Sequence, residues 1–205
     1  MHHYPAAIES LIETLRRLPG VGRRTAERYA FAMLDWQEHT RQDFARQSAS
    51  LGQEVLRCGE CGCLSSQKGC SFCGNPYRHQ TELCIISSAK DAYAVEETGQ
   101  FKGLYHVIGA PISPFDRRGP DALELDRLVS RVRTLGVQEV IVALDSTLEG
   151  DATALYISDA LHSLGCRVTR LASGMPMGSS LQYVDGNTLT QAFLGRQQLA
   201  HMGRD

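Results

Sequence analysis

No apolar run in this 205-residue chain approaches a membrane span: stretches such as residues 140–144 fall far short of the roughly 18 to 20 residues that crossing a bilayer requires. After Met1-His2-His3-Tyr4-Pro5 there is no basic segment, apolar run or small-residue cleavage site of a secretory signal, so a cytoplasmic protein is expected. An excess of positive charge is also missing. Lys and Arg number 21 against 23 Asp and Glu, a formal net charge of −2, so any contact with nucleic acid must come from a local basic patch. No G-x-x-x-x-G-K-[ST] loop occurs, which leaves nucleotide hydrolysis without a seat. Internal repeats and low-complexity tracts are absent too. With 42% hydrophobic and 21% charged residues the chain lies in the globular range and is long enough for one to two domains.

What it does have is seven cysteines, clustered and without an export signal, which points to metal binding in preference to a disulfide framework. Cys58-x-x-Cys61 is followed by Cys70-x-x-Cys73, and two such knuckles place four thiolates around one tetrahedral ion. Four protein ligands leave no open position, so the expected cofactor is a single structural Zn²⁺. Gly59, Gly62, Gly69 and Gly74 supply the tight turns. Cys63 competes with Cys61, but only Cys61 completes the two-residue spacing. Cys84, Cys166 and His106 are expected in the core, as are His79, His162, Trp36, Tyr29 and Phe31.

Apolar residues at Ile8, Leu11, Ile12, Leu15 and Leu18 recur with helical spacing, predicting a first helix over 6–18. Pro19, Gly20 and Gly22 break it, and Ala26, Tyr29, Ala30 and Met33 resume the period. A third helix is predicted from Thr40 as N-cap to Val55. Beyond the cysteines, β-rich runs at 83–86, 104–108, 139–144 and 167–171 alternate with helical stretches at 121–135 and 151–164. That alternation predicts βαβ crossovers and a mostly parallel sheet. The tail after Gly195 reads as polar and frayed.

Between the first two helices, Leu18-Pro19-Gly20-Val21-Gly22 has the form of a helix-hairpin-helix turn. Its glycines expose backbone N–H groups at the start of the second helix, a ready phosphate site. Arg16, Arg17, Arg23, Arg24 and Arg28 surround it, and between Thr14 and Phe31 only Glu27 opposes them. The DNA-binding candidates are therefore Gly20, Gly22, Arg23, Arg24 and Arg28, gripping the backbone without reading sequence. A solvated arginine face is the competing reading.

LPGVGRRTAERYAF, CGEC with CSFC, and YHVIGAPISPFDRRGP resemble the RecR family of recombination mediators, in the same order. The resemblance runs on through Asp145 to Thr153 and into Thr169 to Pro176. It implies an α/β multidomain protein: a helix-hairpin-helix domain over 1–56, a four-cysteine zinc finger over 57–76, a Toprim-like parallel α/β domain over 80–172, and a C-terminal Walker-B-like segment with tail over 173–205. It further implies a homotetrameric ring-shaped DNA clamp, RecO and in some systems RecF as partners, and a cytoplasmic, nucleoid-associated location. Catalytic Toprim members hold Mg²⁺ with a glutamate after the first strand and an Asp-x-Asp pair later. Here Ser87 fills the first position and Asp145-Ser146-Thr147 breaks the pair, so no catalytic residue is expected. Asp145, Glu149 and Asp151 are either turn and helix-start carboxylates or a partner-binding surface. The pair Arg117 and Arg118 either tracks DNA or belongs to a solvated loop. A Mg²⁺-dependent Toprim nuclease or primase-like enzyme, and an interaction module whose arginines only solubilise it, are the alternatives to a non-enzymatic DNA-repair mediator.

Overall fold

The structure, a computed structural model, describes residues 4–197 and divides between Val55 and Leu56 into two compact units. In the first, α1 (Ala6–Leu15), α2 (Arg23–Leu34) and α3 (Glu38–Glu54) follow one another. Ile12, Leu15, Ala26 and Ala30 are buried, with Ile8, Leu11, Val21 and Met33 packed around them. The two alanines let α1 and α2 approach closely. The first helix ends at Leu15, earlier than its periodicity suggests, because Pro19 disfavours the helical backbone at Leu18; the chain leaves through tightened bonds from Arg17 N to Thr14 O and Leu18 N to Leu15 O. The third begins at Glu38 with Gln37 as its extended N-cap, and not at Thr40, with Glu38 and not a hydroxyl complementing the dipole. It buries no residue. Tyr29, Phe31 and Trp36, expected in the core, are 37% to 41% exposed on the outer side of this unit.

The second unit opens with a two-stranded antiparallel hairpin, β1 (Leu56–Arg57) and β2 (Leu64–Ser65), around the first knuckle. A four-stranded parallel sheet follows, built from β3 (His79–Ile86), β4 (Gly103–Val107), β5 (Glu139–Ala143) and β6 (Arg167–Arg170), in the order β4-β3-β5-β6. The crossovers carry α4 (Ala89–Glu97), α5 (Leu125–Leu135) and α6 (Leu148–Leu161), and α7 (Gly186–Leu194) comes last. Alternation along β3 makes the sheet two-faced. Leu83 and Ile85 join a core with Leu128 and Val132 of α5 and Ile157 and Leu161 of α6. Cys84 and Ile86 face the other way, against Cys61, Cys63, Phe72, Ala92 and Tyr105. The cysteine knuckles are thus a layer of the second core and not an appendage.

The helix expected over 121–135 is split: a 3-10 turn, Pro120–Leu123, ends at Glu124, whose left-handed backbone starts α5 afresh. That expected over 151–164 begins earlier, since the Thr147 hydroxyl accepts from Gly150 N at 3.0 Å and caps α6. Cys84 and His106 are buried as expected, whereas His79 and His162 are exposed at element ends. Of the tail expected to fray, residues 198–205 lie outside the described residues.

Candidate functional site

Cys58, Cys61, Cys70 and Cys73 converge so that their four Sγ atoms all lie within 4.8 Å of one another, with Cys61 and Cys70 Sγ 3.6 Å apart. Tetrahedral zinc with bonds of about 2.3 Å needs sulfur pairs roughly 3.8 Å apart, so the donor set fits such an ion. Each knuckle is closed by its own turn: Gly62 N donates to Cys58 O and Gly74 N to Cys70 O, both at 2.9 Å. Cys63 stays outside the set, its carbonyl accepting from Cys58 N at 2.8 Å. Cys84 lies under the same core layer, and burial pushes its thiol up to about 12, so it remains an inert apolar filler.

Three arginines bind the knuckles to the sheet and to α5, and spacing gave no sign of them. Arg127 on α5 donates to the carbonyls of Gly59 at 2.6 Å and Glu60 at 3.1 Å. Arg131, one turn on and buried, donates to Tyr105 O at 2.6 Å and to Cys73 Sγ at 3.3 Å. Its remaining contact, 3.2 Å from His106 Nδ1, requires that nitrogen to accept, because a guanidinium only donates. His106 is therefore neutral, and burial together with Arg131 and Arg127 lowers its pKa to about 4. Arg78 lies 4.9 Å from the Phe72 ring centre, donates to Gly103 O at 2.6 Å and pairs with Glu96. Burial alone would raise the Glu96 carboxyl, but Arg78 and the Tyr105 hydroxyl, 2.6 Å away, hold it below its usual range.

In the first unit Gly20 adopts φ +76°, a conformation that favours glycine, and so turns the chain back to start α2. Gly22 is the N-cap and gives α2 no side-chain cap, and nothing lies within 4 Å of where its Cβ would be. The first-turn N–H groups are thus open to an approaching anion. Arg24 and Arg28 are exposed, and among the described residues neither is in an ion pair. Arg23 differs: Glu9 and Glu27 each hold it at 3.1 Å and Glu13 at 3.6 Å. The Glu9 charge, first among these, raises its pKa. Glu9 and Glu13 lie outside the stretch from Thr14 to Phe31, and one turn of α1 aligns them toward α2.

The third place is the carboxyl end of the sheet, where the chain runs from β3 out to β4 and back across to β5. Such a switch point is where parallel sheets hold ligands. Ser87 follows β3, and Asp145 follows β5, exposed. Gly150, in the first turn of α6, lets the chain after Asp145 close onto the helix start, since a Cβ there would lie 2.0 Å from Asp145 O. Asp151 pairs with Arg170 at 2.9 Å, and Glu149 is half-buried. Among the described residues only the four cysteines converge closely enough to hold an ion together; Asp145, Glu149 and Asp151 do not.

Fold and site define a Toprim-class α/β protein carrying a helix-hairpin-helix unit and a four-cysteine metal centre. The family descriptions "Toprim domain", "RecR, helix-hairpin-helix" and "RecR, C-terminal" match residues 81–172, 8–49 and 174–197. The recombination proteins RecR of Protochlamydia amoebophila and Desulforapulum autotrophicum are 42% and 45% identical to it, over 95% and 96% of this chain and 98% and 99% of theirs. That of Leifsonia xyli subsp. xyli is 45% identical over 96% of this chain and 100% of its own. The chain belongs to the RecR family.

Proposed function

We propose that this protein is a non-enzymatic mediator of recombinational DNA repair, binding gapped or single-to-double-strand DNA through its backbone and helping RecO, with RecF in some hosts, to load recombinase onto strands coated by single-strand-binding protein. The observation that carries it is the start of α2, without a side-chain cap and flanked by Arg24 and Arg28, which are exposed and in no ion pair among the described residues. Gly20 shapes the turn, Gly22 leaves the amides open, and the two arginines meet neighbouring phosphates. Arg23 ties α2 to α1 through Glu9 and Glu13, is held as well by Glu27 of its own helix, and adds less to the grip. Cys58, Cys61, Cys70 and Cys73 hold one structural Zn²⁺, which supplies a cross-link among four thiolates.

The scattered carboxylates favour a docking role for Asp145, Glu149 and Asp151 over two-metal phosphoryl chemistry. A homotetramer in the cytoplasm, associated with the nucleoid, with domains at 1–56, 57–76, 80–172 and 173–205, completes the proposal. In support, α7 and the turn before it expose the large apolar side chains of Leu181, Tyr183, Phe193 and Leu194, which a subunit contact would cover. No helix among the described residues is long and apolar enough to cross a membrane.

Binding of a gapped duplex, with and without RecO, tests the reading. Asp145→Ala/Glu149→Ala is expected to bind DNA like wild type and to lose RecO. Cleavage of DNA in Mg²⁺ that disappears in Asp145→Ala would favour the nuclease instead.

A further inference from the structure

Beyond β4 the chain leaves the carboxyl end of the sheet and closes a tight turn over 113–118. Ser113 N donates to Arg118 O at 3.1 Å and Arg118 N to Ser113 O at 3.0 Å. Inside it, Arg117 N donates to Pro114 O at 3.2 Å, and Arg118 is tied to Asp116 at 2.6 Å. The base of the turn is anchored: Ile112 and Ser113 are buried, and Ile112 N donates at 3.0 Å to the Thr153 hydroxyl of α6, which itself donates to Glu149 O at 2.6 Å. This is a braced projection. At its tip Phe115 is 94% exposed, with almost none of its ring covered by the described residues.

Beside it stands Arg117, exposed and, among the described residues, in no ion pair, since Arg118 takes the carboxylate of Asp116. Its φ is +54°, a left-handed backbone that glycine or asparagine adopts far more readily. A residue kept where its backbone is strained directs attention to what its side chain does. A flat aromatic face next to an uncompensated guanidinium suits a ligand that alternates π faces with negative charge, namely an unpaired nucleic-acid strand. A paired duplex hides its base faces, and an apolar protein pocket would leave the guanidinium without a countercharge.

We propose that this turn is a second nucleic-acid contact, specific for single strands, in which Phe115 stacks on an unpaired base and Arg117 meets the adjoining phosphate. It rests on the DNA-binding reading above and adds to it a site that feels strandedness, as loading at a gap edge requires.

An oligo-dT strand and a blunt duplex of equal length are the probes. Phe115→Ala, which removes no packing, is expected to weaken oligo-dT binding roughly five- to hundredfold while leaving duplex binding unchanged. Arg117→Gly is expected to melt no lower than wild type, because it relieves the backbone, yet to bind oligo-dT more weakly, with a salt slope flatter by about 0.7. In a Trp36→Phe background, Phe115→Trp should retain binding, and its emission should be quenched when oligo-dT saturates the protein. Wild-type oligo-dT affinity in Phe115→Ala, or unchanged emission at saturation, overturns the proposal. So does an altered oligomeric state with oligo-dT binding intact, which would make the tip a subunit contact. Intact duplex binding beside those results leaves the hairpin reading standing. A wild type that binds neither probe overturns both.

Discussion

Arg23 and Arg24 are neighbours of one type with different surroundings. Three glutamates hold Arg23, while Arg24 faces solvent. Arg23→Ala is therefore expected to change the salt dependence of DNA binding less than Arg24→Ala does, as read from affinity against salt concentration. Sequence spacing marked both residues equally, because Glu9 and Glu13, two of the three acids that separate them, lie on another helix. His106 is another residue whose role only packing reveals. Burial, then Arg131 and Arg127, bring its pKa from 6.5 to about 4. Between those values the unfolded chain takes up a proton that the folded chain refuses. This contribution is thus fully present above about pH 6.5 and is lost as pH falls toward 4, by an amount bounded near 3 kcal/mol. His106→Asn keeps an acceptor for Arg131 without a titrating ring. Urea midpoints at pH 7.5 and pH 5 should separate less in that variant than in wild type, metal loss in acid being common to both.

At the scale of elements, periodicity located every helix it named in the first unit and every strand of the sheet. It failed where a single contact overrode it. Pro19 shortens α1, Glu124 splits the helix before β5, and the Thr147 cap moves the start of α6 forward. Periodicity did not mark α4 or α7, each nine residues long. The cysteine spacing was legible because ligand geometry demands it, but that the knuckles form one layer of the sheet's core was not, since Arg78, Arg127 and Arg131 look like ordinary surface residues in sequence. From that layering, Cys58→Ser should lose the bound metal and also lower the melting temperature of the whole second unit, structural zinc contributing on the order of 10 kcal/mol at neutral pH. Metal analysis alongside thermal unfolding checks this. Metal loss with unchanged melting would mean that the core stands without its knuckles.

For the whole molecule the net charge of −2 conceals the local excess of arginine at the start of α2, where DNA binding is proposed. The assembly proposed for this chain draws on apolar surface that folding leaves open. Phe193→Ala/Leu194→Ala should reduce the sedimenting species without unfolding the subunit, as both side chains are exposed. The most direct test of the account is the affinity for a gapped duplex measured against salt concentration, for wild type and for Arg24→Ala/Arg28→Ala. Wild type is expected to show a steep slope that flattens by about two in the double variant, since two phosphates per engaged subunit would no longer be neutralised and their counterions no longer released. An unchanged slope would contradict it and put the DNA site elsewhere on the molecule.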